Sequence, residues 1–277
     1  MKKLFLALFA ATALLSADAQ LRTPAPSPPQ TIRQDFALSS IELSYSRPGI
    51  KNRKVFGDLV PFGKVWRTGA NNATTLTFGD DVMIGGKKIA AGKYGMLTIP
   101  EKRSWTIIIT KQLDVTSPAA YKEDQDVVRL TADVMNMNMT METFTMQFAN
   151  VKPASCDLVM MWENTMVSFP ISTDVETKVM GQIDQLMNKD NRPYYAAALY
   201  YMETGKDLNQ ALAWFDKAVE MQPTAFWVHH QRANCLAKLG KKDEARAAAE
   251  KSRSLAIDQK NDDYVRLNDK LIAELGK

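Results

Sequence analysis

Histidine and cysteine are nearly absent, with two of each in 277 residues. Both histidines, His229 and His230, lie in the carboxyl-terminal half, so residues 20–173 contain none. That stretch has no imidazole to activate a serine or cysteine, and no histidine ligand for zinc. Neighbouring helix positions point about 100° apart, so His229 and His230 read as a solvated or groove-lining pair rather than a metal site. Cys156 falls on an expected strand and Cys235 on an expected helix, which reads as two buried free thiols rather than a disulfide framework. Glycoside hydrolysis needs two facing carboxylates, and nothing in the spacing of Glu42, Glu142 and Glu163 brings a pair together. No cofactor and no metal are expected.

Long apolar runs are also scarce. Leu4–Leu15 is shorter than the roughly 20 residues a membrane span requires. It follows Lys2 and Lys3 and precedes Ala17-Asp18-Ala19, the pattern of a cleavable signal segment over residues 1–19 with cleavage after Ala19. The expected location is periplasmic or secreted. The formal charge of +4 falls to +3 without that segment, which holds two lysines and one aspartate. Export and so small an excess argue against nucleic acid as a partner.

The positive excess is local. Tyr45–Thr75 gathers Arg47, Lys51, Arg53, Lys54, Lys64 and Arg67 against one acid, Asp58, among repeated Pro and Gly. Residues 20–29 form a Pro-rich leader, stiff because proline fixes φ. Residues 30–172 then read as short strands. The spacing predicts Ser40–Ser46, Thr74–Phe78, Val82–Ile84, Lys87–Ile89, Tyr94–Ile99, Trp105–Thr110, Val127–Val134 and Thr143–Phe148. Leu158–Trp162 and Met166–Ile171 follow, joined around Glu163-Asn164. Gly85-Gly86 marks a two-residue hairpin turn. The expected fold is a β-sandwich.

Residues 173–277 change period. Thr173-Asp174-Val175-Glu176 has the form of a capping box, and six helices fit near 174–188, 192–204, 207–221, 224–239, 242–258 and 262–275. Tyr194, Ala198, Tyr201, Gly205, Ala211, Phe215, Ala218 and Pro223 resemble the large, small and breaker positions of a tetratricopeptide repeat. A second unit follows with Ala233, Leu236, Gly240 and Ala245, where Ala249 and Ser252 depart from the pattern. The expected class is thus a β-sandwich domain followed by an all-α, tetratricopeptide-like domain.

Ser46-Arg47-Pro48-Gly49, Leu59-Val60-Pro61, Gly63 to Asn71, Ala73-Thr74-Thr75 and Trp162-Glu163-Asn164 resemble the signature of an exported bacterial family, domain of unknown function 2911, over about residues 27–172. That pattern often carries an acid after the asparagine, where this chain has Asn72. The resemblance implies domain limits and export, and no reaction.

Arg47, Arg53, Trp66, Arg67 and Asn71, with Glu163, are the candidate ligand residues. Guanidinium groups grip carboxylates and phosphates, and a tryptophan face stacks on sugars or cations. The competing reading, placed ahead of it, has Arg47 and Arg67 pinning loop carbonyls with Trp66 in the core. Met135, Met137, Met139 and Met141 alternate on one strand, read as an apolar face rather than a copper(I) site, because same-face neighbours stand roughly 7 Å apart. Trp227 and His230 are the candidate partner-binding residues of the repeats. The leading expectation is an exported non-enzymatic envelope protein whose repeats dock another envelope protein, a peptide, or its own sandwich. The alternative is a glycan- or anion-binding, possibly hydrolytic, sandwich.

Overall fold

The computed structural model describes residues 23–189 and 192–276; the expected signal segment lies outside the described residues. The chain divides after Val175 into two compact units. The first is built of nine strands: β1 (Pro29–Phe36), β2 (Ser39–Ser46), β3 (Thr74–Phe78), β4 (Val82–Ile84), β5 (Lys87–Ile89), β6 (Gly92–Pro100), β7 (Ser104–Thr110), β8 (Asp126–Ala149) and β9 (Ser155–Ser172). They form one antiparallel sheet in the order β1-β2-β3-β6-β7-β8-β9-β4-β5.

The 24-residue strand β8 makes this sheet a sandwich. Its first third pairs with β7 and the remainder with β9, with two register shifts along the way. The layers enclose a core that includes Leu43, Leu76, Met96 and Ile107 together with Phe144, Met160, Trp162 and Phe169. Tyr45 on β2 crosses to β8, its hydroxyl accepting from the Met146 N–H at 2.8 Å. Burial pushes the Tyr45 phenol up. The Gly85-Gly86 turn has φ of +57° and +75°, the left-handed pair a type I′ hairpin requires.

Three expectations are corrected here. Residues 29–36 form an edge strand that the pattern did not reveal. Leu158–Trp162 and Met166–Ile171 are not a hairpin: β9 runs straight through, with Glu163 at φ +49° where the ladder slips. The methionine run is not a filled face. Four β8 residues, 137–140, bulge opposite Asn164 and leave Met139 62% exposed, while Met135, paired with Met166 ahead of the bulge, is 41% exposed.

The second unit contains α1 (Val175–Leu186), α2 (Tyr194–Glu203), α3 (Leu208–Met221), α4 (Phe226–Lys238), α5 (Lys242–Asp258) and α6 (Asp262–Leu275). The Asp207 carboxylate caps α3, accepting from Asn209 and Gln210 N–H. The Thr173 hydroxyl donates to the Asp81 carbonyl at 2.7 Å. Small buried residues, Ala198 and Ala211 in one pair and Ala233, Ala245 and Ala249 in the next, let the helices approach closely.

Candidate functional site

The irregular segment between β2 and β3 pairs with itself only through turn bonds and the isolated Phe56–Val60 bridge, so many of its backbone groups need partners from elsewhere. Left-handed φ values at Lys51, Asn52, Thr68 and Asn71 show how far it departs from regular structure. Trp66 docks it to β6 through two backbone bonds with Thr98 of 2.7 and 2.9 Å. Thr68, β-branched and at φ +56°, is held there by its Thr98 hydroxyl contact at 3.1 Å and by the Thr74 hydroxyl on its carbonyl. Gly69 is required by space, since an added Cβ would stand 3.0 Å from the Ser46 carbonyl oxygen. The Trp66 indole donates to the Gly69 carbonyl at 3.0 Å and closes the turn.

Trp66 also joins an aromatic cluster with Phe56, Trp105, Phe144 and Trp162. Its ring lies nearly parallel to Trp162 (17°), with centroids 5.9 Å apart. The other members meet edge-on or tilted at 5.0–6.3 Å, the geometry in which ring edges face ring π-clouds.

A cavity of about 430 Å³ opens beside this cluster. Arg53, Lys64 and Arg67 reach it from the cationic segment, Trp66 and Trp162 from the cluster, and Thr116 to Pro118 from the loop after β7. Ser27 of the leader completes the wall. The leader is fastened there: its Pro28 carbonyl accepts from the Arg47 N–H at 3.0 Å, and its Ser27 carbonyl accepts from the Asn71 amide at 3.1 Å.

The candidate ligand residues therefore separate into two sets. Arg53, Trp66 and Arg67 line the cavity, together with Lys64, which sequence reasoning did not single out. Arg47, Asn71 and Glu163 do not. Arg47 donates to the Phe144 carbonyl at 3.2 Å and the Thr145 hydroxyl at 2.8 Å. Glu163 accepts from the Val55 N–H at 2.8 Å, and Glu142 from the Lys51 N–H at 3.0 Å. The acids hold loop N–H groups, while Arg47 ties the segment to β8.

Arg53 donates to the Ile50 and Gly49 carbonyls at 3.0 and 2.8 Å, which fixes its guanidinium plane. Arg67 donates one Nη to the Thr116 carbonyl, and its buried Nε–H has no acceptor. Among the described residues, none of the segment's six cations forms an ion pair. No carboxylate, imidazole or thiol among the described residues lines the cavity. Cys156 is buried elsewhere in the sandwich, and burial pushes its thiol up to about 11. Such a thiol stays protonated at neutral pH.

In the helical unit, Trp227 is 36% exposed, edge-on to Phe226 at 5.0 Å. His230 is not solvated or groove-lining. It is 7% exposed, with Nδ1 2.8 Å from Asn268 Oδ1. The Asn268 amide in turn donates to the Ser252 hydroxyl at 2.8 Å, and Ser252 donates to the Phe226 carbonyl at 2.7 Å. This buried network ties α4, α5 and α6 together. It also explains Ser252, the departure from the repeat pattern. His229 is buried too, near the Pro223 carbonyl at 2.9 Å, and burial holds its imidazole below the usual range. No helix among the described residues is long and apolar enough to cross a membrane.

No curated protein matches the chain. Two tetratricopeptide-repeat family models match residues 192–224 and 214–247, across α2 to the start of α5. A third, described as a protein of unknown function, DUF2911, matches residues 27–171, which covers the sandwich except the last residue of β9 and takes in the Ser27 wall of its cavity. The chain belongs to that family, with tetratricopeptide repeats following its sandwich domain.

Proposed function

We propose that this is an exported, non-enzymatic envelope protein whose helical repeats dock a protein partner. The repeat matches carry the reading, because repeats of this kind suggest protein–protein interaction. Stacked helix pairs expose long concave surfaces, and Trp227 is the large aromatic the unit leaves at its surface. The signal-like residues 1–19 supply the motive for export. The expected test result is a mature amino terminus at Gln20 in the extracytoplasmic fraction. Trp227→Glu in the full chain is expected to weaken cross-linked partner capture about thirtyfold, as for an interface hot spot. An uncleaved cytoplasmic protein, or an unchanged capture profile, contradicts the reading.

A second reading, in which the sandwich binds an anionic ligand, is favoured by the cavity. Among the described residues, three cationic side chains and no carboxylate line it. Hydrolysis forms no part of this reading, since the wall offers no acid or base pair.

A further inference from the structure

The cavity is selective in what it leaves out. We infer that it takes a small amphipathic oxyanion, a single carboxylate or phosphate joined to a compact apolar body, in preference to a sugar. The inference rests on the anion-binding reading and narrows it to a ligand class.

Charge comes first. Arg53, Lys64 and Arg67 line one cavity, and among the described residues no carboxylate lines it and none forms an ion pair with these three. An oxyanion supplies the missing charge, and guanidinium donors bind it through charge-assisted hydrogen bonds. Arg67 donates one Nη to the Thr116 carbonyl, and its other Nη, which is not among the buried atoms, has no acceptor among the described residues. Both arginines are already held by backbone carbonyls, so little side-chain freedom is lost when a ligand arrives.

The remaining wall sets the body of the ligand. Leu59, Val60, Pro61, Val65 and Pro118 are apolar, and Trp66 and Trp162 add aromatic surface. A sugar needs acceptors and donors for each hydroxyl it buries, and the wall carries no Asp, Glu, Asn or Gln. Ser27, Thr116 and Ser117 are its hydroxyls. A cavity of about 430 Å³ matches the lower range of small-molecule sites. An aromatic acid or a short acyl anion fits this combination of cationic end and apolar side.

Because Trp66 and Trp162 line the cavity, their fluorescence reports occupancy. The full chain is titrated at constant ionic strength with benzoate, phenyl phosphate, inorganic phosphate, benzamide and glucose 6-phosphate. Benzoate and phenyl phosphate are expected to bind at least about tenfold more tightly than the other three, and their ratio tells which head group is preferred. Arg67→Gln is expected to lower their affinity tenfold to a hundredfold, the loss of a hydrogen bond to a charged group. Lys64→Gln, at an exposed side chain, carries the same test with little risk to folding and is expected to weaken them several-fold. Equal binding of inorganic phosphate, or preference for the sugar phosphate, overturns the ligand class while anion binding stands. Benzamide binding as well as benzoate, or no binding by any probe, overturns both. Unchanged benzoate affinity in both variants overturns the assignment of the site.

Discussion

Gly95→Ala is expected to destabilise the sandwich by about 3–5 kcal/mol, at the severe end for one methyl group. Gly95 sits mid-strand in β6, between Thr75 of β3 and Thr110 of β7. A Cβ there would lie 2.0 Å from the Gln112 carbonyl oxygen and 3.1 Å from the Thr110 methyl. The obstruction is backbone, which cannot rotate away as a flexible side chain does, so relief requires parting β6 from the chain after β7. Gly86→Ala is the control. Its Cβ would meet nothing within 4 Å, and its cost comes from φ of +75° alone, about 1–2 kcal/mol. Thermal and urea unfolding followed by circular dichroism separate them, with a difference on the order of 5–10 °C expected for a unit of this size. Equal midpoints for the two variants would contradict the close approach of Gln112 to β6.

Trp162→Ala is expected to cost a similar amount, about 3–5 kcal/mol, through a different mechanism. Trp162 is 2% exposed and meets Phe56, Trp66 and Phe144, so truncation leaves a void that three rings must collapse into. Its indole also donates to the Glu142 carbonyl at 3.3 Å, and Glu142 in turn holds Lys51 and Ile50 of the loop. The loss should therefore spread outward into the cationic segment. Proteolysis between Arg47 and Arg67 is expected to quicken in Trp162→Ala and to stay slow in Trp162→Phe, which keeps a ring but drops the N–H. A loop that remains resistant in both variants would sever the proposed link between the cluster and the segment.

Much of this architecture was legible in local pattern. Thr74–Phe78 and the Gly85-Gly86 hairpin match the structure residue for residue, because alternation and paired glycines are sufficient signals for strand and turn. Strand β1 was hidden for the converse reason. Ile32 and Phe36 are its large apolar residues, and an edge strand needs few. The fusion at Glu163 was equally hidden, since a polar pair inside an apolar run reads as a turn until a left-handed bulge absorbs it. Glu163, a candidate ligand residue by sequence, accepts a backbone N–H instead, because irregular loops carry unmet donors as well as unmet acceptors.

The candidate site was legible by half. The cationic segment announced itself by composition, and three of its expected ligand residues do share a cavity. Lys64 stood in that segment with nothing local to set it apart from Lys51 and Lys54, and Thr116 and Ser27 could not be added from sequence, because the wall is assembled from the leader, two loops and β9, segments that no periodicity connects. Similarly, the His229-His230 pair looked accessible until α6 supplied Asn268 as partner to one of them.

Arg53, Lys64 and Arg67, with no ion-pair partner among the described residues, stand beside an apolar wall in this cavity. A crystal of the full chain grown with 4-bromobenzoate tests that arrangement most directly, since anomalous scattering locates the bromine independently of the carboxylate. The account expects the carboxylate at Arg67, with Arg53 and Lys64 nearby, and the bromine against Leu59 and Val60. An empty cavity, or an Arg67 paired with an acidic side chain of the protein itself, would contradict it.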